Sequence, residues 1–173
     1  LKDLETLERF REKNIRKASS GDIEAKKIIE VIEKCISYLE SGKSIRDIDL
    51  VIDENEIIKS LHLITAKPVL YLCNVDENAV KGSNKYVKEV KDLVSDEGAE
   101  VLTIATSIEA EIAELEDPDD QAIFLQDLGL ENPGVHNLIT STYRLLDLQT
   151  FFTAGKKEVR AWTIRKGIKA PQA

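Results

Sequence analysis

The feature that most constrains the fold of this chain is a change in the spacing of its apolar residues near residue 68. Before it, apolar residues recur every three or four positions, which is typical of amphipathic helices. Residues 68–73 (PVLYLC) and 100–105 (EVLTIA) are instead short, largely apolar runs, typical of strands buried on both faces. The residues between these two runs, and those after the second run, again show helical spacing. Strand, helix, strand, helix with short connections predicts an α/β fold with a parallel sheet covered by helices.

Residues 1–41 are predicted to form a coiled-coil-like hairpin of two antiparallel helices. The break at residues 19–22 (SSGD) offers N-cap side chains for the second helix, which is expected to end at Ser41-Gly42. A further short helix is expected to begin with Asp53 as N-cap and to run to about Leu61. The stripes of the two hairpin helices are predicted to consist of Leu1, Leu4, Leu7 and either Phe10 or Arg11, and of Ile28, Ile29, Ile32, Cys35, Ile36 and Leu39.

Apart from the two strands, the rest of the chain is predicted to be helical up to about residue 147 and β beyond it. Helices are expected at 84–96, 108–115, 119–128 and 134–147, and a β-hairpin at 149–153 and 158–164. A lone hairpin is marginally stable in water, so residues 149–173 are expected to open a further domain that is cut short. The core face of the helix at 84–96 is predicted to consist of Tyr86, Val87, Val90, Leu93 and Val94.

Composition limits the kinds of partner. The chain has 24 Lys and Arg against 32 Asp and Glu, a net charge of −8, which disfavours general binding to a nucleic acid backbone. No apolar run approaches the roughly 18 residues of a membrane span, so no membrane association is expected. The 2 cysteines indicate a reduced, cytoplasmic protein rather than a disulfide scaffold. Because the chain starts at Leu1 within a helical pattern and has 0 Met, we expect it to be a fragment.

The sequence contains a phosphate-loop-like motif and two histidines, and neither is interpreted as a functional site. Residues 41–44 (SGKS) suggest a phosphate-binding loop, but Ser37 stands where that motif requires Gly, and the preceding residues are helical rather than a strand. A helix that ends at glycine is the better interpretation. His62 and His136 have no Cys or carboxylate at metal-ligand spacing, so no metal site is expected in this segment.

The candidate binding residues follow the two predicted strands. Ligands of parallel sheets bind at the carboxyl ends of strands, which here carry residues 74–77 (NVDE) and 105–107 (ATS). In P-loop GTPases the first of these loops carries Asn-Lys-x-Asp, whose Asp accepts two hydrogen bonds from guanine. Glu77 stands at the Asp position, and a carboxylate one methylene longer is expected to miss the paired geometry that guanine demands. An ionised Asp would repel the ring acceptor of adenine, so its replacement favours a pocket tolerant of adenine.

These loops and their flanking segments together carry a family resemblance. The chain resembles the YchF/Obg-like ATPase family, a branch of the P-loop GTPases that prefers ATP. The resemblance covers nearly the whole chain and comes in the family order. It rests on residues 65–77 (TAKPVLYLCNVDE), 107–115 (SIEAEIAEL), 124–130 (FLQDLGL), 148–155 (LQTFFTAG), 158–164 (EVRAWTI) and 170–173 (APQA).

The resemblance implies three parts. Residues 1–62 would be a helical coiled-coil hairpin insert, 63–147 the C-terminal part of the nucleotide-binding domain, and 148–173 the truncated start of a ubiquitin-like TGS domain. The phosphate loop and the magnesium-binding switch segments of the family would lie upstream of Leu1. No catalytic and no metal-binding residue is therefore expected in this segment.

The resemblance also implies a role for each candidate residue. Asn74 corresponds to the residue that recognises the base, Val75 to a residue in contact with the purine, and Glu77 to the replacement of the GTPase Asp. Ala105, Thr106 and Ser107 correspond to the second base-contacting loop.

The function implied is that of a ribosome-associated ATPase that binds ATP, and GTP more weakly, and hydrolyses ATP slowly with Mg²⁺. The segment alone is expected to be inactive. The alternative is a non-catalytic regulatory module for translation or stress that docks on the ribosome through the hairpin and TGS domain. A C-terminal basic group is a candidate contact for RNA, and it consists of Lys156, Lys157, Arg160, Arg165, Lys166 and Lys169.

Overall fold

The computed structural model describes residues 1–80, 84–169 and 171. The chain divides into two compact units, Leu1–Pro68 and Val69–Ala173, called here the hairpin unit and the cleft unit. The hairpin unit contains α1 (Lys2–Ser19), α2 (Ile23–Glu40) and α3 (Ile52–Ser60). The cleft unit contains β1 (Leu70–Asn74), α4 (Glu77–Val80), α5 (Lys85–Leu93), β2 (Glu100–Ile104), α6 (Thr106–Glu114), α7 (Pro118–Asp127), α8 (Gly134–Leu145), β3 (Leu148–Ala154) and β4 (Val159–Arg165).

The predicted helical hairpin is confirmed. α1 and α2 pack along each other, and the turn between them contains Gly21 with φ 97°, a left-handed conformation that glycine adopts without strain. Asp22 caps α2, because its Oδ1 accepts the backbone N–H groups of Glu24 and Ala25 at 3.0 and 3.1 Å. α2 ends at Glu40, and Gly42 follows with φ 81°. The SGKS sequence is therefore the end of a helix, as expected.

One hydrophobic core holds the hairpin unit together. The predicted stripes are confirmed at Leu7, Ile32 and Cys35, which are fully buried. Leu1 is the exception, with 99% of its surface exposed, because it precedes the first residue of α1 and has no neighbour to pack on. Burial raises the pKa of the Cys35 thiol to about 11, so this thiol behaves as a small apolar side chain.

Asp3 joins α1 to the end of the hairpin unit. It is a buried carboxylate whose oxygens accept the N–H of Ile64 at 3.0 Å, the N–H of Thr65 at 2.7 Å and the hydroxyl of Thr65 at 2.6 Å. Burial alone would raise the pKa of Asp3, but these hydrogen bonds to the charged form outweigh it and lower that pKa below its ordinary value.

α3 begins earlier than predicted. Its first residue is Ile52 and its N-cap is Val51, so the assignment of Asp53 as N-cap is wrong. The Glu54 carboxylate reaches back and accepts the N–H of Val51 at 3.0 Å. A glutamate in the first turn thus accepts the N–H of the N-cap residue, which is the glutamate half of a capping box.

β1 and β2 form the predicted parallel pair, in register from Leu70 opposite Glu100 to Asn74 opposite Ile104. The prediction that both strands are buried on both faces is wrong, since 44% of the Leu72 surface is exposed. Among the described residues the sheet has these two strands only, and α5 and α8 pack on β2. Within β1, Leu72 and Asn74 are the exposed residues.

α5 buries a narrower face than its sequence suggests. Val87 and Val94 are buried as predicted, whereas Tyr86 and Leu93 are 73% and 80% exposed. Each exposed residue precedes a buried one, so it lies about 100° away around the helix. The contact surface covers the valine side of the helix only, and the prediction that Tyr86 and Leu93 belong to the core is wrong.

The later helices and the β-hairpin form as predicted. Ile108 and Ile112 of α6 pack with Ala105. The Glu109 carboxylate accepts the N–H of Gly134 at 2.7 Å and that of Val135 at 3.1 Å, which fixes the start of α8. β3 and β4 pair antiparallel, with Leu148 opposite Arg165 and Ala154 opposite Val159. The APQA segment at 170–173 lies mostly outside the described residues.

Candidate purine-base site

The ends of β1 and β2 bring the two predicted loops together. Because the strands are parallel and in register, Asn74 is opposite Ile104, and the two loops leave the same edge of the sheet. The N–H of Val75 donates to the carbonyl of Ile104 at 2.8 Å, which continues the pairing one residue beyond β1. The Asn74 Oδ1 accepts the N–H of Thr106, the first residue of α6, at 3.2 Å. A side chain of the first loop thus holds the backbone of the second.

An open cleft of ≈ 690 Å³ lies at this edge. Its volume is within the roughly 300–1,000 Å³ that small-molecule sites occupy. It is lined by Asn74, Val75, Asp76, Glu77, Asn78, Asn84, Tyr86, Thr106 and Ser107. Five of the six predicted site residues, namely all except Ala105, therefore share one cleft.

Ala105 is placed differently from the other five. Its surface is 2% exposed, and it packs with Ile108 and Ile112 in the hydrophobic core of the cleft unit. It is also the residue that precedes α6. Its methyl group supports the loop from below, and a contact between this residue and a base stays a prediction.

The lining of the cleft is polar and acidic. Asn74, Thr106 and Ser107 contribute amide and hydroxyl groups, and their side chains are exposed. Asp76 and Glu77 contribute two carboxylates, and no Lys or Arg is among the lining residues that the structure describes. Such a lining disfavours phosphate and suits an uncharged ring that carries hydrogen-bond donors and acceptors.

Three lining residues were not predicted from the sequence, namely Asn78, Asn84 and Tyr86, and Asp76 was placed in the first loop without an assigned role. Asn84 is the N-cap of α5 and accepts the N–H of Tyr86 at 2.9 Å. An Asn directly before a helical pattern is a recognisable N-cap signal, and it could have placed the start of α5 at the cleft. Tyr86 was assigned to the core by its spacing, and no sequence signal contradicted that assignment.

The described part of the chain offers neither a metal-binding cluster nor a membrane-spanning helix. Within residues 1–80, 84–169 and 171, no three or more His, Cys, Asp and Glu side chains are grouped so that they could hold a metal ion. None of the helices in those ranges is both long and apolar enough to cross a membrane.

Comparisons with known proteins match the whole chain. The "Ribosome-binding ATPase YchF" of Escherichia coli O157:H7 is 44% identical over 173 residues, which are 100% of this chain and 47% of that protein. The protein of the same name from Haemophilus ducreyi is 46% identical over the same shares. That from Bacillus subtilis is 40% identical over 99% of this chain and 47% of its own length.

A family profile and a solved structure agree with these relatives. The profile described as "YchF-GTPase_C: Protein of unknown function (DUF933)" matches residues 148–173. The structure of the YchF GTPase of Schizosaccharomyces pombe matches with a TM-score of 0.85 and 34% identity, over 99% of this chain and 47% of that one. The chain thus spans about half the length of the relatives it matches.

Proposed function

Since this chain belongs to the YchF family, whose members are named ATPases or GTPases, we propose that its cleft recognises the purine base of a nucleotide and prefers adenine to guanine. The observation that carries the proposal is the cleft itself. It places Asn74, Val75 and Glu77 beside Thr106 and Ser107 at the carboxyl edge of a parallel sheet.

Asn74 is suited to contact a purine. Its Oδ1 accepts the N–H of Thr106, and this hydrogen bond determines which end of the amide faces that backbone group. The Nδ2 of Asn74 is then left as a donor, and a purine ring presents nitrogen acceptors at its edge. The hydrogen bond that holds the two loops together also orients the group that recognises the base.

Glu77 supplies the preference for adenine. It is the first residue of α4, and its side chain is exposed at the cleft. Guanine recognition in GTPases needs a carboxylate at the distance that Asp provides, and the additional methylene of Glu77 moves the carboxylate out of that paired geometry. Guanine therefore loses two hydrogen bonds to a charged acceptor, each worth about 1.5–3 kcal/mol, whereas adenine loses nothing.

Val75 is the second position at which this loop differs from the GTPase loop. It lies where those proteins carry a lysine whose stem covers the base, and it is half-buried at the cleft. A branched apolar side chain offers the purine a short contact surface without a charge. The preference of the cleft then depends on shape and hydrogen bonding, not on attraction to a cation.

The function that we propose for the whole protein goes beyond this segment. It binds ATP, and GTP more weakly, hydrolyses ATP slowly in the cytoplasm and associates with the ribosome. The name "Ribosome-binding ATPase YchF" of the relatives supports the ATP hydrolysis and the ribosome association. The nucleotide-binding domain would begin at residue 63, after the hairpin insert at 1–62, and a TGS domain would begin at residue 148. Phosphate-cradling amides and Mg²⁺ ligands would come from outside these 173 residues, so we expect the segment alone not to hydrolyse ATP.

A double substitution tests the base preference. In the complete protein, Val75→Lys with Glu77→Asp restores the GTPase side chains. We expect the ratio of GDP to ADP affinity to rise about 10- to 100-fold, less than two full hydrogen bonds would give, because the second loop also contributes to base binding. The measurement is calorimetric titration with each diphosphate. The matched control, Val135→Lys with Glu111→Asp, changes the same residue types at exposed positions outside the cleft and should leave the ratio unchanged. An unchanged ratio in the cleft variant would contradict the proposal.

A further inference from the structure

Charge is distributed unevenly along the helical hairpin. We call residues 9–27, the end of α1, the turn and the start of α2, the hairpin tip. The tip carries three acidic side chains and seven basic ones, a net charge of +4, in a chain whose total is −8. The remainder of the two helices, residues 2–8 and 28–40, carries two basic and six acidic side chains. The basic residues of the tip are Arg9, Arg11, Lys13, Arg16, Lys17, Lys26 and Lys27.

These basic side chains are available to a partner. Six of them are exposed, and Arg11 is half-buried. None of the seven forms an ion pair or a side-chain hydrogen bond with any residue that the structure describes. Their charge is therefore not paired at close range within the described part of the chain.

Helix stability accounts for only part of this arrangement. Arg9 and Arg16 follow Glu5 and Glu12 by four residues, a favourable helix spacing, and Arg16 and Lys17 lie in the last turn of α1, which the dipole favours. However, Arg9, Lys13 and Lys17 are four residues apart on one face of α1, where neighbouring like charges repel. Lys26 lies in the first turn of α2, where the helix dipole disfavours cations.

We propose that the hairpin tip is a binding surface for the phosphate backbone of RNA. Four of its seven basic residues are lysines, a residue type that is depleted in protein interfaces, where aromatic side chains are enriched. The one aromatic residue of the tip, Phe10, is half-buried and packs against the core of the hairpin unit. A lysine-rich surface without an exposed aromatic anchor fits phosphate contacts better than contacts to a protein.

The C-terminal basic residues offer a weaker candidate. The register of β3 and β4 places Lys156 and Lys157 at the turn, and Arg165 and Lys166 at the opposite end of a seven-residue strand. At about 3.3 Å per residue, the two pairs are separated by about 20 Å. Arg160, between them, pairs with Glu158 at 2.9 Å. Residues that are close in sequence thus do not form one patch in this hairpin.

The test compares two sets of four lysines in the complete protein. The tip variant carries Lys13→Gln, Lys17→Gln, Lys26→Gln and Lys27→Gln. The control variant carries Lys2→Gln, Lys59→Gln, Lys88→Gln and Lys91→Gln, all exposed and outside the tip. Both variants change the net charge by the same amount. The probes are a fluorescein-labelled RNA stem-loop, titrated at several salt concentrations, and ribosomes in a sedimentation assay.

We expect the tip variant to lose at least about tenfold in affinity for both probes. The slope of log affinity against log salt, which is negative, should become less steep by about 2–3. The control variant should keep the wild-type values. Replacing the same four tip lysines by arginine should restore binding, which separates loss of charge from loss of folding. ADP affinity, measured on each variant, should not change.

Three results would overturn the proposal. They are equal losses in the tip and control variants, no RNA binding by the unchanged protein, and loss of ribosome sedimentation with RNA affinity retained, which would make the tip a surface for a protein. The inference uses the proposed function only in taking the ribosome as a source of RNA. If the proposed preference for adenine is wrong, the ADP and GDP titrations will show it. If the proposed RNA binding by the hairpin tip is wrong, the RNA titrations will show it.

Discussion

The hairpin unit and the cleft unit bury their apolar side chains to very different degrees. In residues 1–68 the helices α1, α2 and α3 surround one core, and all of the largest fully buried side chains of the described chain are there, namely Leu7, Ile32, Cys35 and Ile45. In residues 69–173 the buried cluster is smaller and consists of Ala105, Ile108 and Ile112. Large apolar side chains are exposed in that unit, Phe152 at 71% and Leu93 at 80% among them.

This difference in burial indicates that the hairpin unit mainly contributes stability, whereas the cleft unit contributes the groups that bind a ligand. The hairpin unit has the larger hydrophobic core, although Ile23 and Ile52 are exposed, and its basic side chains are concentrated at the tip. The cleft unit has less buried apolar surface and places its polar groups at the ends of two strands. Substitutions in the hairpin unit should therefore act mainly on the free energy of unfolding, and substitutions in the cleft should act mainly on ligand affinity.

The largest effect on stability is expected at Leu7. Its replacement by Ala leaves a cavity in a core that cannot close around it, and this should cost about 2–5 kcal/mol in the free energy of unfolding. The matched change in the cleft unit, Leu93→Ala, removes an exposed side chain and should cost less than about 0.5 kcal/mol. Urea denaturation followed by circular dichroism measures both. Equal losses would remove the distinction between the units.

A smaller effect is expected at Asp3. Asp3→Asn removes the charge that accepts hydrogen bonds from Ile64 and Thr65, and we expect a loss of about 2 kcal/mol at pH 7. The exposed Asp53→Asn is the control.

The effect at Asp3 should depend on pH in one direction. Because folding lowers the pKa of Asp3 below the ordinary value of 3.8, its contribution is complete well above that value and is lost as the pH falls through the folded-state pKa. The stability difference between wild type and Asp3→Asn should therefore shrink below about pH 4. A difference that grows on acidification would show that the carboxylate is not the stabilising form.

A stability effect smaller than that at Asp3 is expected in the cleft, at Asn74. Asn74→Ala removes the acceptor of the Thr106 N–H and should cost about 1 kcal/mol, whereas Asn74→Asp keeps an acceptor there and should cost less. Both variants remove the Nδ2 donor, so both should weaken ADP binding about tenfold. Thermal unfolding and calorimetry measure the two quantities. Full ADP affinity in Asn74→Asp would mean that Asn74 only holds the loops together.

The elements of the hairpin were predictable because their determinants are local. The burial of Leu7 requires only the neighbouring helix, and the N-cap at Asp22 requires only the first turn of α2. Burial of a strand face or of a wide helix face depends instead on what covers it, so Leu72, Tyr86 and Leu93 were predicted wrongly. No pattern within a strand or helix contains that information.

The candidate site was predictable to the extent that it follows strand ends. Asn74 and Thr106 lie where parallel pairing must bring two loops together. Asn84 and Tyr86 reach the cleft from the start of α5, and that position depends on how α5 packs on β2. The preference for adenine at Glu77 came from comparison with the GTPase loop, and it stays a prediction.

The most direct test of the account is a calorimetric titration of the unchanged complete protein with ADP and with GDP. Because Glu77 cannot form the paired hydrogen bonds that guanine requires, we predict tighter binding of ADP. Tight binding of GDP without measurable binding of ADP would contradict the account.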